Sequence, residues 1–141
     1  MRIGIVGYGI VGKATELRLA GNEFYILDPP LNLYEDISNC EIVFVCVNDT
    51  DPKMPLINKI VKDIDDLDTD CAIAIRTSIT PGTTDKLIDK YNREIAYVPE
   101  FLREWNWKHD ALNPDKTIIG TENDELYRTL KSLFKDRNAL R

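Results

Sequence analysis

Three glycines in the order Gly7-x-Gly9-x-x-Gly12 follow directly on the short apolar run 3–6. That spacing suits a dinucleotide pyrophosphate. Gly7 makes the tight turn out of a strand, Gly9 lets the backbone approach the phosphates, and Gly12 lets the next helix pack close to the strand. The N–H groups of Ile10, Val11 and Gly12 would then lie at a helix N-terminus, where free donors and the helix dipole favour an anion. Such a pattern by itself also fits a turn with no ligand. It gains meaning from a second apolar run, 24–27, which ends in Asp28. A carboxylate roughly twenty residues past the first glycine is placed to take a ribose 2′-hydroxyl. Asp28 is followed by Pro29 and Pro30, with no Arg or Lys to receive a 2′-phosphate, so NAD is expected over NADP.

Other reactive residue types carry less. The acidic group Asp63, Asp65, Asp66, Asp68 and Asp70 reads as a solvated helix end and loop, so no metal is expected. His109, the only histidine, reads as a surface residue. Cys40, Cys46 and Cys71 are odd in number and fall in or beside apolar runs, which fits buried thiols in a reducing compartment and an expectation of cytoplasmic location.

The elements that must position these residues alternate. Apolar runs at 3–6, 24–27, 42–47, 71–75, 95–98 and 117–120 read as strands. Between them lie helical patterns: 13–20, closed by Gly21-Asn22; a short one at 34–37; the stripe Ile57, Ile60, Val61 and Ile64; and a segment through Leu87 and Ile88 to Tyr91. A last helix carries Leu126, Leu130, Leu133 and Phe134, with Thr121 and Asp124 as a capping-box start. This is the pattern of an α/β fold, a Rossmann-like, doubly wound parallel sheet of about six strands in three layers. With 141 residues, residues 1–141 form one domain. A net charge of −6 argues against nucleic acid or an anionic membrane surface as partner, and no apolar run approaches the ~20 residues of a span.

In open α/β sheets ligands bind beyond the carboxyl ends of the strands, near the switch point. Those ends are 7–12, Asp28, 47–51, 76–80 and 99–104. The dinucleotide is therefore expected along loops carrying Val47, Asn48, Thr77, Ser78 and the pair Glu100 and Glu104.

Taken together these loops resemble the N-terminal domain of the UDP-glucose/GDP-mannose dehydrogenase family. The most specific residues are Pro99-Glu-Phe-Leu-Arg-Glu104 with Asn113-Pro-Asp-Lys116-Thr-Ile-Ile-Gly120, similar to the family's PEFLREG and NPDR signatures. The segments 43–48 and 77–83 are similar to its third strand and its STVPVGT loop. The resemblance implies oxidation of the C6 alcohol of a nucleotide sugar to a carboxylate by two hydride transfers to NAD. By matching positions, Gly7, Gly9, Gly12 and Asp28 would bind the adenosine end. Asn48, Thr77 and Glu104 would lie near the ribose and nicotinamide, and Ser78 would take the place of the family's threonine beside the reacting centre. Glu100 would be the glutamate that helps activate water for thioester hydrolysis, and the backbone of Phe101 and Leu102 would touch the sugar nucleotide. A structural carboxylate paired with Arg103 or Lys108 is the competing reading of Glu100.

The sequence also departs from the family. Its pattern continues into a linking helix and a second domain with a lysine, an asparagine and a nucleophilic cysteine; this chain stops at Arg141, so that domain is expected to be absent and a partner chain would supply it. Trp105 stands where the family has glycine, and with Trp107 it would stack on a ring or cover an exposed edge. The expected function is a nucleotide-sugar 6-dehydrogenase half, incomplete alone. The alternative is an NAD or nucleotide-sugar binding module without turnover.

Overall fold

In the computed structural model, which describes residues Met1–Arg141, strand β1 (Arg2–Val6) lies inside a six-stranded sheet. It is followed by α1 (Ile10–Arg18), β2 (Glu23–Asp28), β3 (Leu33–Tyr34), β4 (Ile42–Val45) and α2 (Pro55–Asp66). Next come β5 (Ala72–Ile75), α3 (Thr83–Tyr91), β6 (Ile95–Tyr97), α4 (Trp107–Leu112) and α5 (Asp124–Phe134). The spatial order is β3-β2-β1-β4-β5-β6. β1 pairs in parallel with both β2 and β4, so the order reverses at β1 and a crevice opens beyond the carboxyl ends of β1 and β4.

Both faces of the sheet are covered, which is why all four residues of β4 are buried. Strand period puts Ile42 and Phe44 on one face and Val43 and Val45 on the other. The first pair joins Ile3, Ile5, Ala74 and Ala96 under Leu19 beyond α1 and Leu126, Leu130 and Phe134 of α5. The second joins Ile73, Ile75 and Ile95 under α2 and α3. The stripe of α2 is buried as expected, with Ile57, Ile60, Val61 and Ile64 all facing in; each such side chain contributes roughly 1.5–3 kcal/mol. The sheet and its two helical layers are the doubly wound α/β architecture expected from the strand–helix alternation.

Three local expectations are corrected. The 34–37 segment is not helical. A short 3-10 turn at Pro29–Leu31 and a left-handed Asn32 (φ 58°) reverse the chain, and β3 returns antiparallel to β2. A parallel return would need a crossover of a dozen or more residues, so the sheet is mixed at that edge. The run 117–120 is not a regular strand: only single bridges form, Tyr97 with Gly120 and Ile118 with Leu140. The sixth strand is thus β3. Finally, α5 is capped by Asn123, whose side chain accepts from Leu126 N at 2.8 Å, while Thr121 Oγ1 accepts from Asn123 N. α1 begins at Ile10 and ends at Arg18, with Leu19 as its cap; Gly21 (φ 100°) turns the chain into β2. No helix is long and apolar enough to cross a membrane.

Candidate cofactor site

The glycine loop is shaped by close approach. Gly7 has φ 93°, and a Cβ there would lie 2.8 Å from Val47 Cγ1 and 2.9 Å from the backbone of Cys46. A Cβ on Gly12 would fall 2.1 Å from the Gly7 carbonyl oxygen. These two positions admit no side chain. At Gly9 a Cβ would meet nothing within 4 Å, so the loop is open on that side. Gly9 caps α1 without a side-chain hydrogen bond, and Lys13 N donates to Gly9 O. The N–H groups of Ile10, Val11 and Gly12 precede that bond and remain as donors for an anion.

Asp28 ends β2 beside this loop, and its Oδ2 accepts from Tyr8 N at 2.7 Å. Asp28, Gly7 and Val47 line a mainly apolar cavity of about 330 Å³, closed on its other side by Leu56 and Ile60 of α2. The cavity has the chemistry for a flat base next to a carboxylate.

The loop after β4 is held by a residue the sequence reading passed over. Asp49 Oδ2 accepts from Leu56 N at 2.8 Å and Ile57 N at 3.1 Å, capping α2 from outside the helix. Thr80 Oγ1 donates to Pro52 O, tying the loop after β5 to the same place. Asn48 and Ser78 are exposed, and Thr77 is buried with its Oγ1 lacking any partner. A buried hydroxyl without a partner is costly, and the chain itself supplies none for Thr77 Oγ1.

Beyond β6, the segments 100–104 and 113–116 come together. Glu100, Phe101, Arg103, Asp110, Asn113 and Lys116 line a second cavity of about 380 Å³. Lys116 Nζ lies 4.5 Å from the centre of the Phe101 ring. Leu102 is half-buried, and Glu104 is exposed at the start of a 3-10 turn, Glu104–Asn106. Asn48, Thr77, Ser78, Leu102 and Glu104 line neither cavity. A larger hollow of about 810 Å³ lies along α3 and β6, with none of the candidate residues in its wall.

Glu100 is paired, but not with Arg103 or Lys108. Its Oε2 accepts from Nη2 of Arg76, a residue with no exposed side-chain surface. Arg76 also donates to Thr15 Oγ1 and to Val98 O. The signal for Arg76 was present in the strand period: position 76 continues the inward face of Ala74. Arg103 instead grips Asp110, at 2.8 and 3.0 Å from its side chain and 2.8 Å from its N–H. Those bonds hold the Asp110 carboxyl well below the usual carboxylate range. His109 is exposed, 3.5 Å from Asp110. Trp105 is 79 % exposed with the Arg103 guanidinium on its ring, so it fills no cavity. Of the acidic residues beyond α2's stripe, Asp63 and Asp66 pair with Lys59 and Lys62, and Asp65 with Arg93.

A family model described as "UDP-glucose/GDP-mannose dehydrogenase family, NAD binding domain" matches residues 30–138. The match begins after Asp28, so the reading of the glycine loop rests on its geometry. The chain is 31% identical over 123 residues to an uncharacterized protein of Methanocaldococcus jannaschii, covering 74% of this chain and 14% of that protein. It is 29% identical over 118 residues to the UDP-glucose 6-dehydrogenase of Rickettsia typhi, covering 73% of this chain and 26% of the enzyme. In three dimensions it is similar to a ternary complex of GDP-mannose dehydrogenase from Pseudomonas aeruginosa. The TM-score is 0.82 at 19% identity, over 99% of this chain and 45% of that one. A UDP-glucose dehydrogenase from Pyrobaculum islandicum gives 0.80 at 18% identity, with the same coverage of 99% and 45%. At such identities the structural likeness speaks for the fold. The chain spans about a quarter or less of the length of these curated relatives.

Proposed function

The chain belongs to the UDP-glucose/GDP-mannose dehydrogenase family through that family's NAD binding domain, and on this premise we propose that it presents NAD to the C6 alcohol of a nucleotide sugar. In this reading the pyrophosphate rests on the N–H groups of Ile10, Val11 and Gly12, and Asp28 takes the adenosine ribose. The adenine enters the cavity of about 330 Å³ beside Asp28. Val47, Asn48, Thr77 and Glu104 flank the remaining ribose and the nicotinamide. The open side of Gly9 and the unpartnered Thr77 hydroxyl support the fit. Bound there, NAD supplies a hydride acceptor.

The observation that carries the substrate side is the cavity in which Glu100 and Phe101 meet Asn113 and Lys116. The sugar nucleotide lies against the backbone of Phe101 and Leu102. Ser78 offers a hydroxyl near the reacting carbon, and Glu100 serves as general base, reaching its proton directly or through one water: from the C6 hydroxyl as the first hydride leaves, and from water in the hydrolytic step. The cysteine nucleophile of the second oxidation is not among these residues. Burial pushes the Cys40 thiol up to about 11, Cys46 to about 12, and Cys71 upward as well. We assign that nucleophile to a complementing region or partner chain. Three free, buried cysteines fit a reducing cytoplasmic setting.

A second reading, an NAD or nucleotide-sugar binding module without turnover, is favoured by the engagement of Glu100 with buried Arg76. The test mixes the chain with NAD and UDP-glucose and follows NADH absorbance. NADH that forms and is lost in a Glu100→Ala chain that still binds NAD supports hydride transfer; tight NAD binding with no NADH in any mixture supports the module.

A further inference from the structure

Arg76 leaves β5 on the face of Ala74, and Glu100 leaves β6 on the face of Ala96 and Val98, so both point into the layer beneath α1 and α5. There the guanidinium serves three elements at once. Nε donates to Thr15 Oγ1 of α1 at 3.3 Å, Nη1 to Val98 O at 3.0 Å, and Nη2 to Glu100 Oε2. Its plane is also within 5.0 Å of the Phe134 ring of α5. Only a planar, multi-donor fork can do this; an ammonium is a single point of charge. Stability alone is a poor reason for the arrangement, because an apolar replacement of a buried ion pair is often neutral or favourable. What the pair does achieve is orientation. Glu100 Oε2 is turned to Arg76, while Glu100 still lines the cavity shared with Phe101 and Lys116.

Resting on the reading of Glu100 as the reaction's carboxylate, we propose that Arg76 is a positioning residue. It fixes the second Glu100 oxygen toward the substrate cavity and ties that position, through Thr15, to the helix that begins at the glycine loop.

The test uses the full chain with ¹³C-labelled glutamate carboxyls, comparing Arg76→Lys, Arg76→Met, Glu100→Gln and the double variant R76M/E100Q. The Glu100 resonance is assigned by its loss in Glu100→Gln. The expected result is that it shifts to the position and line width of exposed glutamates in Arg76→Met and part of the way in Arg76→Lys, while NAD affinity stays within threefold. NADH formation with UDP-glucose is expected to fall at least tenfold in Arg76→Met, recover in part in Arg76→Lys, and be no lower in R76M/E100Q than in Glu100→Gln. An unmoved Glu100 resonance in both Arg76 variants overturns the proposal, as does a loss in Arg76→Met that multiplies with that of Glu100→Gln. Loss of the fold in both Arg76 variants also overturns it, by assigning Arg76 to the core alone. If no mixture yields NADH, the carboxyl resonance still decides the positioning role, and only the hydride-transfer reading fails.

Discussion

The backbone N–H of Tyr8 donates to Oδ2 of Asp28 at 2.7 Å, joining the glycine loop to the end of the neighbouring strand. The residue proposed to hold the adenosine ribose therefore also fixes the loop that holds the phosphates. Asp28→Ala should lower NAD affinity by about 10–100-fold, the worth of a hydrogen bond to a charged group. Asp28→Asn, which keeps an acceptor for Tyr8, should lose less. Titration calorimetry of both variants checks this, and equal affinity of the native chain for NADP would refute the role given to Asp28.

The glycines separate fold from binding. Gly12→Ala places a Cβ against the Gly7 carbonyl and should unfold or grossly destabilise the chain. Gly9→Ala meets no protein atom and should leave the unfolding midpoint nearly unchanged. It should still weaken NAD binding by an order of magnitude or more, because the methyl occupies the pyrophosphate's approach. Thermal melts with and without NAD distinguish the two outcomes.

Glu100→Ala leaves the Arg76 guanidinium buried without its counter-ion. Breaking one side of such a pair costs roughly 3–5 kcal/mol. The double variant Arg76→Met with Glu100→Ala should recover much of that loss, since no unpaired charge remains, and with the native chain, Glu100→Ala and Arg76→Met it completes a set of four. A urea-denaturation cycle over the four proteins measures the coupling; simple additivity would show that the two side chains act independently.

Burial raises all three thiols, Cys40 to about 11 and Cys46 to about 12. At pH 8 the folded chain should react with a thiol reagent far more slowly than the urea-unfolded chain, which should titrate three thiols. Fast labelling of any cysteine in the folded state would contradict the burial.

Arg103 depresses the Asp110 carboxyl, so the sign of its pH dependence is set. The clamp contributes fully above the unfolded carboxylate value of about 3.9 and is lost as pH falls below it toward the lower folded value. Amide exchange in α4 should stay constant from neutral pH to about pH 4, after correction for intrinsic rates, and rise in more acid solution. In Asp110→Asn the acid-dependent rise should be missing.

Much of the fold was legible because its signals are local. The Gly7–Gly9–Gly12 spacing is fixed by one turn, the continuous apolar run of β4 by burial on both faces of the sheet, and the 57-60-61-64 stripe of α2 by the helical period, all within a few consecutive residues. From them the doubly wound α/β arrangement follows. The 100–104 and 113–116 segments identified the family, and the fold brings them into one cavity. Where a helix was expected at 34–37, the left-handed Asn32 turned the chain back instead, and a short polar stretch carries no period that announces this. A strand was expected at 117–120, but β6 offers it only a single bridge. The partner of Glu100 was the largest gap. Arg103 and Lys108 are near in sequence, yet Arg76, on another strand, is the residue that reaches it. Asp49 likewise caps a helix it does not belong to. Sequence by itself determined the main strands and helices, the glycine loop and the cofactor class, since those rest on short-range spacing. Only the tertiary structure decided which charges meet, because a buried carboxylate takes the donor that packing brings within reach, whatever its distance along the chain.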